Sequence, residues 1–226
     1  MEGLMRLKAM AKINLGLDVL GKREDGYHEV RMIMQTIRMY DILDIRKTRR
    51  PGIVLTTNLP FIPTDQRNLV YKAAQMLMEE FDVEEGLSIK LRKFIPVAAG
   101  MAGGSSDAAA AFVGVNRMFH LGLTEEQLME RAVKVGADVP YCIMRGTALA
   151  EGIGEKLTRL PEVPKCYVLI GKPGINVSTK TAYENLNLAG IGKHPDIDGL
   201  IRDIECGDLY AMASKMENVF EPGIIR

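Results

Sequence analysis

Between residues 7 and 20 apolar and polar positions alternate almost without interruption. Ala9, Ala11, Ile13, Leu15, Leu17 and Val19 share one face, while Lys8, Met10, Lys12, Asn14, Gly16 and Asp18 share the other. A period of two predicts a strand with one face in the core. Gly21 to Gly26 reads as a turn carrying the hairpin-type pair Asp25-Gly26. Tyr27-His28 opens a second strand-like run through Ile37, and Asp41 to Lys47 and Ile53 to Thr57 read as strands joined by the hairpin-type turn Arg49-Arg50-Pro51-Gly52.

The period then lengthens. Asn68 caps a helix running to about Phe81, with Leu69, Ala73, Met76 and Leu77 as its buried stripe. Alternation returns over 87–95, followed by a glycine-rich stretch and then apolar positions 108, 111, 112, 115, 118 and 119 at helical spacing. Gly122 takes the place just beyond that helix which favours glycine. Thr124-Glu125-Glu126-Gln127 is a capping box for a helix ending near Gly136. Gly146 to Glu151 and Glu155 to Leu160 form a hairpin, Pro161 to Pro164 marks a domain boundary, and Cys166 to Ile170 reads as a strand. Ser178-Thr179 introduces a helix carrying Tyr183, and residues 196–214 form two short helices interrupted at Gly207. The last residues, from Glu221, show no pattern of a terminal helix or strand.

Composition narrows the classes. A chain of 226 residues fits one large domain or two small ones. The formal net charge of zero supplies no field for nucleic acid or an acidic membrane. Cys142, Cys166 and Cys206 are too widely spaced for a metal or redox motif and suit a reducing compartment, so the expected location is cytoplasmic. No run approaches the ~20 apolar residues of a membrane span.

The stretch Pro96-Val97-Ala98-Ala99-Gly100-Met101-Ala102-Gly103-Gly104-Ser105-Ser106 carries the first candidate chemistry. Strand, glycine-rich loop and helix start together make a place for an anion, because glycines allow close backbone approach and the unpaired amides attract phosphate oxygens. It is not a P-loop, since no Lys-Ser or Lys-Thr pair follows the glycines. An ordinary turn with Ser105 or Ser106 as N-cap explains the same residues, and Asp107 in the first helical turn competes for the dipole. Two further positions stand out: Lys12, beside Asn14 and Gly16 on the polar face of the first strand, and Asp138 in Gly136-Ala137-Asp138-Val139-Pro140, held ahead of a proline. A solvated lysine and a helix cap are the plain alternatives.

Four motifs in fixed order, Ala11 to Leu15, Asp25-Gly26-Tyr27-His28, Pro96 to Ser106 and Gly136 to Pro140, resemble the GHMP kinases. Within them they resemble the branch acting on 4-diphosphocytidyl-2-C-methyl-D-erythritol in non-mevalonate isoprenoid synthesis. The resemblance implies an α+β fold: an N-terminal ATP-binding domain like domain 2 of ribosomal protein S5 (1–160) and an incomplete ferredoxin-like C-terminal domain (161–226). It implies ATP and Mg2+, a small-molecule acceptor, and neither nucleic acid nor membrane. By motif, Asp138 is the general base and Lys12 its catalytic partner, Pro96 to Ser106 wrap the triphosphate, and Ser106 reaches magnesium. Asn14 contacts the methylerythritol portion, and Tyr27, His28 and Tyr183 form the cytidine pocket. Met101-Ala102 stands where Leu-Gly is common, and the chain is expected to stop short of a third glycine motif. Another GHMP small-alcohol kinase, of mevalonate or homoserine type, or a nucleotide-binding chain without turnover, are the competing expectations.

Overall fold

In the computed structural model, which describes residues 3–172, 174, 182–183 and 185–224, the first alternating run becomes β1, Met5–Lys22. It is followed by β2 (His28–Thr48), β3 (Ile53–Thr57), β4 (Gly86–Arg92), β5 (Thr147–Gly152), β6 (Lys156–Leu160) and the short β7 (Glu217–Asn218). The sheet runs β3-β4-β2-β1-β7, with β5 added against β2 and β6 against β5. The helices are α1 (Leu69–Glu80), α2 (Gly103–Met118), α3 (Glu125–Ala132), α4 (Val139–Met144), α5 (Ile197–Cys206), α6 (Leu209–Ser214) and α7 (Glu221–Ile224). The expected α+β class is what is found.

Two compact units divide the chain, and the divisions fall inside β1, after Ala11, and inside β2, after Thr36. The first comprises Met1–Ala11, Ile37–Pro96 and Met101–Met144. Its core sets Leu43 and Ile45 of β2 and Leu87, Ile89 and Leu91 of β4 with the alanine face of α2 and with Phe112 and Val115. A side chain on Gly114 would place Cβ 2.5 Å from Ile45 and 2.7 Å from Leu7, so the close approach of α2 to the sheet needs a glycine there. The second unit comprises Lys12–Thr36, Val97–Gly100 and Arg145–Arg226. Leu15, Ile33, Leu149, Ile197, Leu200, Ile204 and Met212 form its core. Gly16 has the same explanation as Gly114: an added Cβ would lie 2.7 Å from Leu200 and 2.8 Å from Ile197 of α5.

Several expectations change. The run expected from Tyr27 to Ile37 starts as a strand at His28, and it and Asp41–Lys47 are parts of one strand, β2, because nothing between them breaks an extended chain; its first part pairs with β5 and its last with β4. β2 and β3 do not form a hairpin. β4 lies between them, antiparallel to β2 and parallel to β3. Its first residue, Gly86, sits where a Cβ would fall 1.8 Å from the Arg50 carbonyl, so the Arg49–Gly52 turn packs against β4. Asn68 does cap α1, accepting from Val70 N at 2.9 Å, and Ala73 and Leu77 are buried as expected, but Val70, Ala74 and Met78 complete the buried stripe while Leu69 and Met76 are only half-buried. After α2 two positions are left-handed: His120, φ 53°, directly follows the cap residue, Phe119, and Gly122, φ 74°, lies two residues further on. The Thr124 capping box forms in both directions. Cys166–Ile170 is not a strand, since among the described residues no ladder meets it, and Tyr167 and Leu169 stand fully exposed. Ser178 and Thr179 lie outside the described residues. The C-terminal stretch is more regular than expected: β7 pairs in parallel with Gly16 and Leu17 of β1, and α7 follows.

Candidate active site

The glycine-rich stretch connects β4 to α2 through three left-handed residues in alternate places: Ala98 at φ 54°, Gly100 at φ 69° and Ala102 at φ 53°. Alternating hand turns backbone amides toward a common side, the geometry of anion-binding concavities. α2 starts at Gly103, and Ala102, the residue ahead of it, provides no side-chain cap. Ser105 and Ser106 are therefore not caps but members of the first turn. Ser106 is buried and donates its hydroxyl to the Met10 carbonyl at 2.5 Å. Met101 is buried. Gly103 is closely met by its neighbours: a Cβ there would sit 3.1 Å from Lys93 Nζ and 3.2 Å from Ile95, so those side chains would have to give by a few tenths of an ångström. At Gly104 an added Cβ would meet only Leu69, at 3.7 Å.

Asp107 does not compete for the helix start. It stands at the beginning of the second turn, 2% exposed, and accepts from Lys93 Nζ at 2.6 Å. The same ammonium bonds Asp41 Oδ2, while Asp41 Oδ1 accepts from Phe94 N at 2.5 Å and Ile95 N at 2.8 Å. Asp41 thus fastens the end of β4, and Lys93 ties it to α2. Burial pushes the Asp107 carboxyl well above the usual carboxylate range, against the pull of Lys93 and with Asp41 adding to the rise. Sequence reasoning missed this cluster, although Lys93 occupies the inward register of Leu87, Ile89, Leu91 and Ile95. A lysine on the apolar face of a strand was the available signal.

Asp138 is half-buried and immediately precedes α4, all of whose six residues are buried. Its carbonyl accepts from Cys142 N at 3.1 Å, and Val139 N bonds back to Gly136 O at 3.1 Å. Pro140 lies in the first helical turn, where no amide is needed. The backbone carrying the Asp138 carboxylate is therefore fixed from both sides.

In the second unit Lys12 is 5% exposed and donates to Asn14 Oδ1 at 3.0 Å. This is not the solvated lysine of the plain alternative. The turn before β2 closes with Arg23 N on Tyr27 O at 2.8 Å and Tyr27 N on Asp25 Oδ1 at 3.1 Å, leaving the Tyr27 side chain exposed. The Arg23 guanidinium and the Tyr27 amide hold the Asp25 carboxyl below its usual range. His28 stacks on Tyr183, centroids 5.0 Å apart and planes at 30°. Tyr183 in turn meets the edge of Phe220 at 4.9 Å. Phe220 is placed by β7: Val219 N bonds Leu17 O at 3.1 Å and Phe220 N bonds Asn218 Oδ1 at 3.0 Å. The structure thus brings Lys12 to Asn14 and His28 to Tyr183, and it adds Phe220 to the aromatic group. Lys12 and Asp138 belong to different units.

For magnesium, no group of three or more acidic, histidine or cysteine side chains could cage an ion among the described residues.

Residues 68–146 match the family model described as GHMP kinases N terminal domain. A 4-diphosphocytidyl-2-C-methyl-D-erythritol kinase of Lachnospira eligens is 55% identical over 217 residues, which is 96% of this chain and 75% of the relative. Among solved structures, a 4-(cytidine 5'-diphospho)-2C-methyl-D-erythritol kinase superposes with a TM-score of 0.77 at 29% identity, over 96% of this chain and 76% of the other. A homoserine kinase from Cytophaga hutchinsonii superposes with a TM-score of 0.72 at 18% identity, over 98% of this chain and 74% of the other, a likeness of fold alone.

Proposed function

This chain belongs to the 4-diphosphocytidyl-2-C-methyl-D-erythritol kinases of the GHMP family, and from that premise we infer its reaction and the residues that perform it. The reaction is ATP-dependent phosphorylation of a hydroxyl of 4-diphosphocytidyl-2-C-methyl-D-erythritol, releasing ADP. The observation that carries the reading is the uncapped start of α2 behind the three left-handed loop residues. A sixteen-residue helix opening without a side-chain cap offers its amides to an anion, and the family supplies the identity of that anion. Residues 1–160 would form the ATP-holding domain and 161–226 part of the second.

Phosphoryl transfer is mostly positioning and charge stabilisation around a loose transition state. Pro96 to Ser106 would hold the triphosphate through backbone amides. Asp138 would accept the proton of the acceptor hydroxyl as its oxygen attacks the γ-phosphorus, and ADP leaves opposite. Lys12, held by Asn14, would offset the negative charge that grows on the transferred group. Bound magnesium would supply charge neutralisation to the phosphates, and Ser106, whose hydroxyl donates to the Met10 carbonyl, would still have an oxygen lone pair to offer it. Asn14 would contact the methylerythritol portion. His28, Tyr27 and Tyr183 would receive the cytosine, with the polar edge of His28 reading the base. A cytoplasmic location suits the substrates, and no helix among the described residues is long and apolar enough to cross a membrane.

The test is acceptor-dependent ADP release, measured with the cytidyl-diphosphate substrate, homoserine and mevalonate in parallel. Turnover with the cytidyl substrate alone is expected. Equal or better turnover with either of the other alcohols would overturn the substrate assignment.

A further inference from the structure

Phe220 is a large apolar ring placed by a very short strand. β7 pairs Glu217 with Gly16 and Asn218 with Leu17, and Val219 N continues to Leu17 O at 3.1 Å. Asn218 then bends the chain, its Oδ1 accepting from Phe220 N at 3.0 Å, the side-chain turn that asparagine favours. The Phe220 ring ends 9% exposed, its centroid 4.9 Å from that of Tyr183 with the planes at 79°. Tyr183 stacks on His28 at 5.0 Å and 30°. An edge-to-face contact thus stands behind a stack, the two arrangements that ring quadrupoles favour. Two ion pairs brace the same strand ends: Lys193 with Glu217 of β7 at 3.1 Å, and His194 with the buried Asp18 of β1 at 2.7 Å. A half-buried tyrosine turns about two side-chain bonds, so its neighbours decide its plane.

We propose that Phe220 is a positioning residue for the cytidyl end of the acceptor: its edge-to-face contact sets the plane of Tyr183, and through that plane the affinity for the base. Phe220 acts through Tyr183 rather than on the substrate, and this role rests on the reading that the cytosine binds at Tyr183. The advantage of a fixed plane is that a stacked base finds its partner already oriented, with less ordering left to do on binding. β1 serves both ends of the acceptor in this arrangement. It carries Lys12 and Asn14, and two residues on, at Gly16 and Leu17, it supplies the register that places Phe220.

Calorimetric binding of cytidine monophosphate (CMP) to the whole chain, with ADP present at saturation, tests this without turnover. Phe220→Leu keeps an apolar side chain and removes the ring edge. Its affinity for CMP should fall about two- to tenfold, the worth of one aromatic pair, while ADP affinity stays at the wild-type value. Phe220→Tyr, which keeps the ring, should restore CMP binding. In turnover the same Phe220→Leu protein should show a raised KM for the cytidyl substrate at unchanged kcat, the pattern of lost uniform binding. Asn218→Ala frees the Phe220 amide and leaves the ring, and it should weaken CMP binding in the same selective way. CMP affinity unchanged in Phe220→Leu overturns the proposal, and so does an equal loss of CMP and ADP affinity, the mark of a merely structural role. If Phe220→Leu does not fold, Asn218→Ala decides, and unchanged CMP binding there overturns the proposal. A wild-type chain that binds ADP but no CMP removes the cytidyl-pocket reading and the positioning role together. CMP binding that ignores Phe220 removes the positioning role alone.

Discussion

Ala102 carries more of the loop's character than its size suggests. It stands at φ 53°, ψ 30°, in the left-handed region, directly before the first residue of α2. An alanine there costs about 1–2 kcal/mol relative to ordinary backbone, and a glycine recovers most of that against a chain-entropy loss of about 0.5–1 kcal/mol. Ala102→Gly should therefore raise stability by about 0.5–1 kcal/mol, read by denaturant midpoint at unchanged slope. A loss of stability would show that the methyl makes a packing contact worth more than the strain. Single residues were legible in the sequence to different depths. Lys12 and Asp138 stood out by their company, and so did Gly16, but Gly16 turns out to make room for Leu200 and Ile197. Lys93 passed unnoticed because a lysine in an alternating run reads as solvated unless its register is counted.

At the scale of elements, local periodicity gave the strands and helices well, while pairing was hidden. Nothing in Ile53–Thr57 says that a strand separated from it by a whole helix will come between it and β2. Likewise β7 is two residues long, and it matters because pairing with Gly16 and Leu17 delivers Phe220 to the edge of Tyr183. The joint of β4 with α2 gives the clearest pH prediction. Because burial holds the folded Asp107 carboxyl above the ordinary aspartate range, the native state binds more protons than the unfolded chain between the ordinary and the raised value. Its contribution to stability is full below about pH 4 and is lost as pH rises through the raised folded value. Asp107→Asn should remove that loss, so the difference in unfolding free energy between variant and wild type should grow with pH over this window. A difference independent of pH would mean that Asp107 titrates normally.

For the molecule as a whole, the sequence motifs and the fold agree, and 55% identity over 96% of the chain places the family beyond a likeness of shape. What the motifs could not convey is how the chain is divided. β1 passes from one unit to the other between Ala11 and Lys12, in the middle of the motif that carries Lys12 and Asn14, so a single cut along the chain does not describe the packing. The proposed mechanism joins an ATP-holding loop to a carboxylate that takes the acceptor's proton. It is tested most directly by turnover and ATP affinity measured together in Asp138→Asn. In that variant kcat should fall by about 10²–10⁴ while ATP binding stays near the wild-type value, the range for losing a general base. Near-normal turnover in that variant would contradict it.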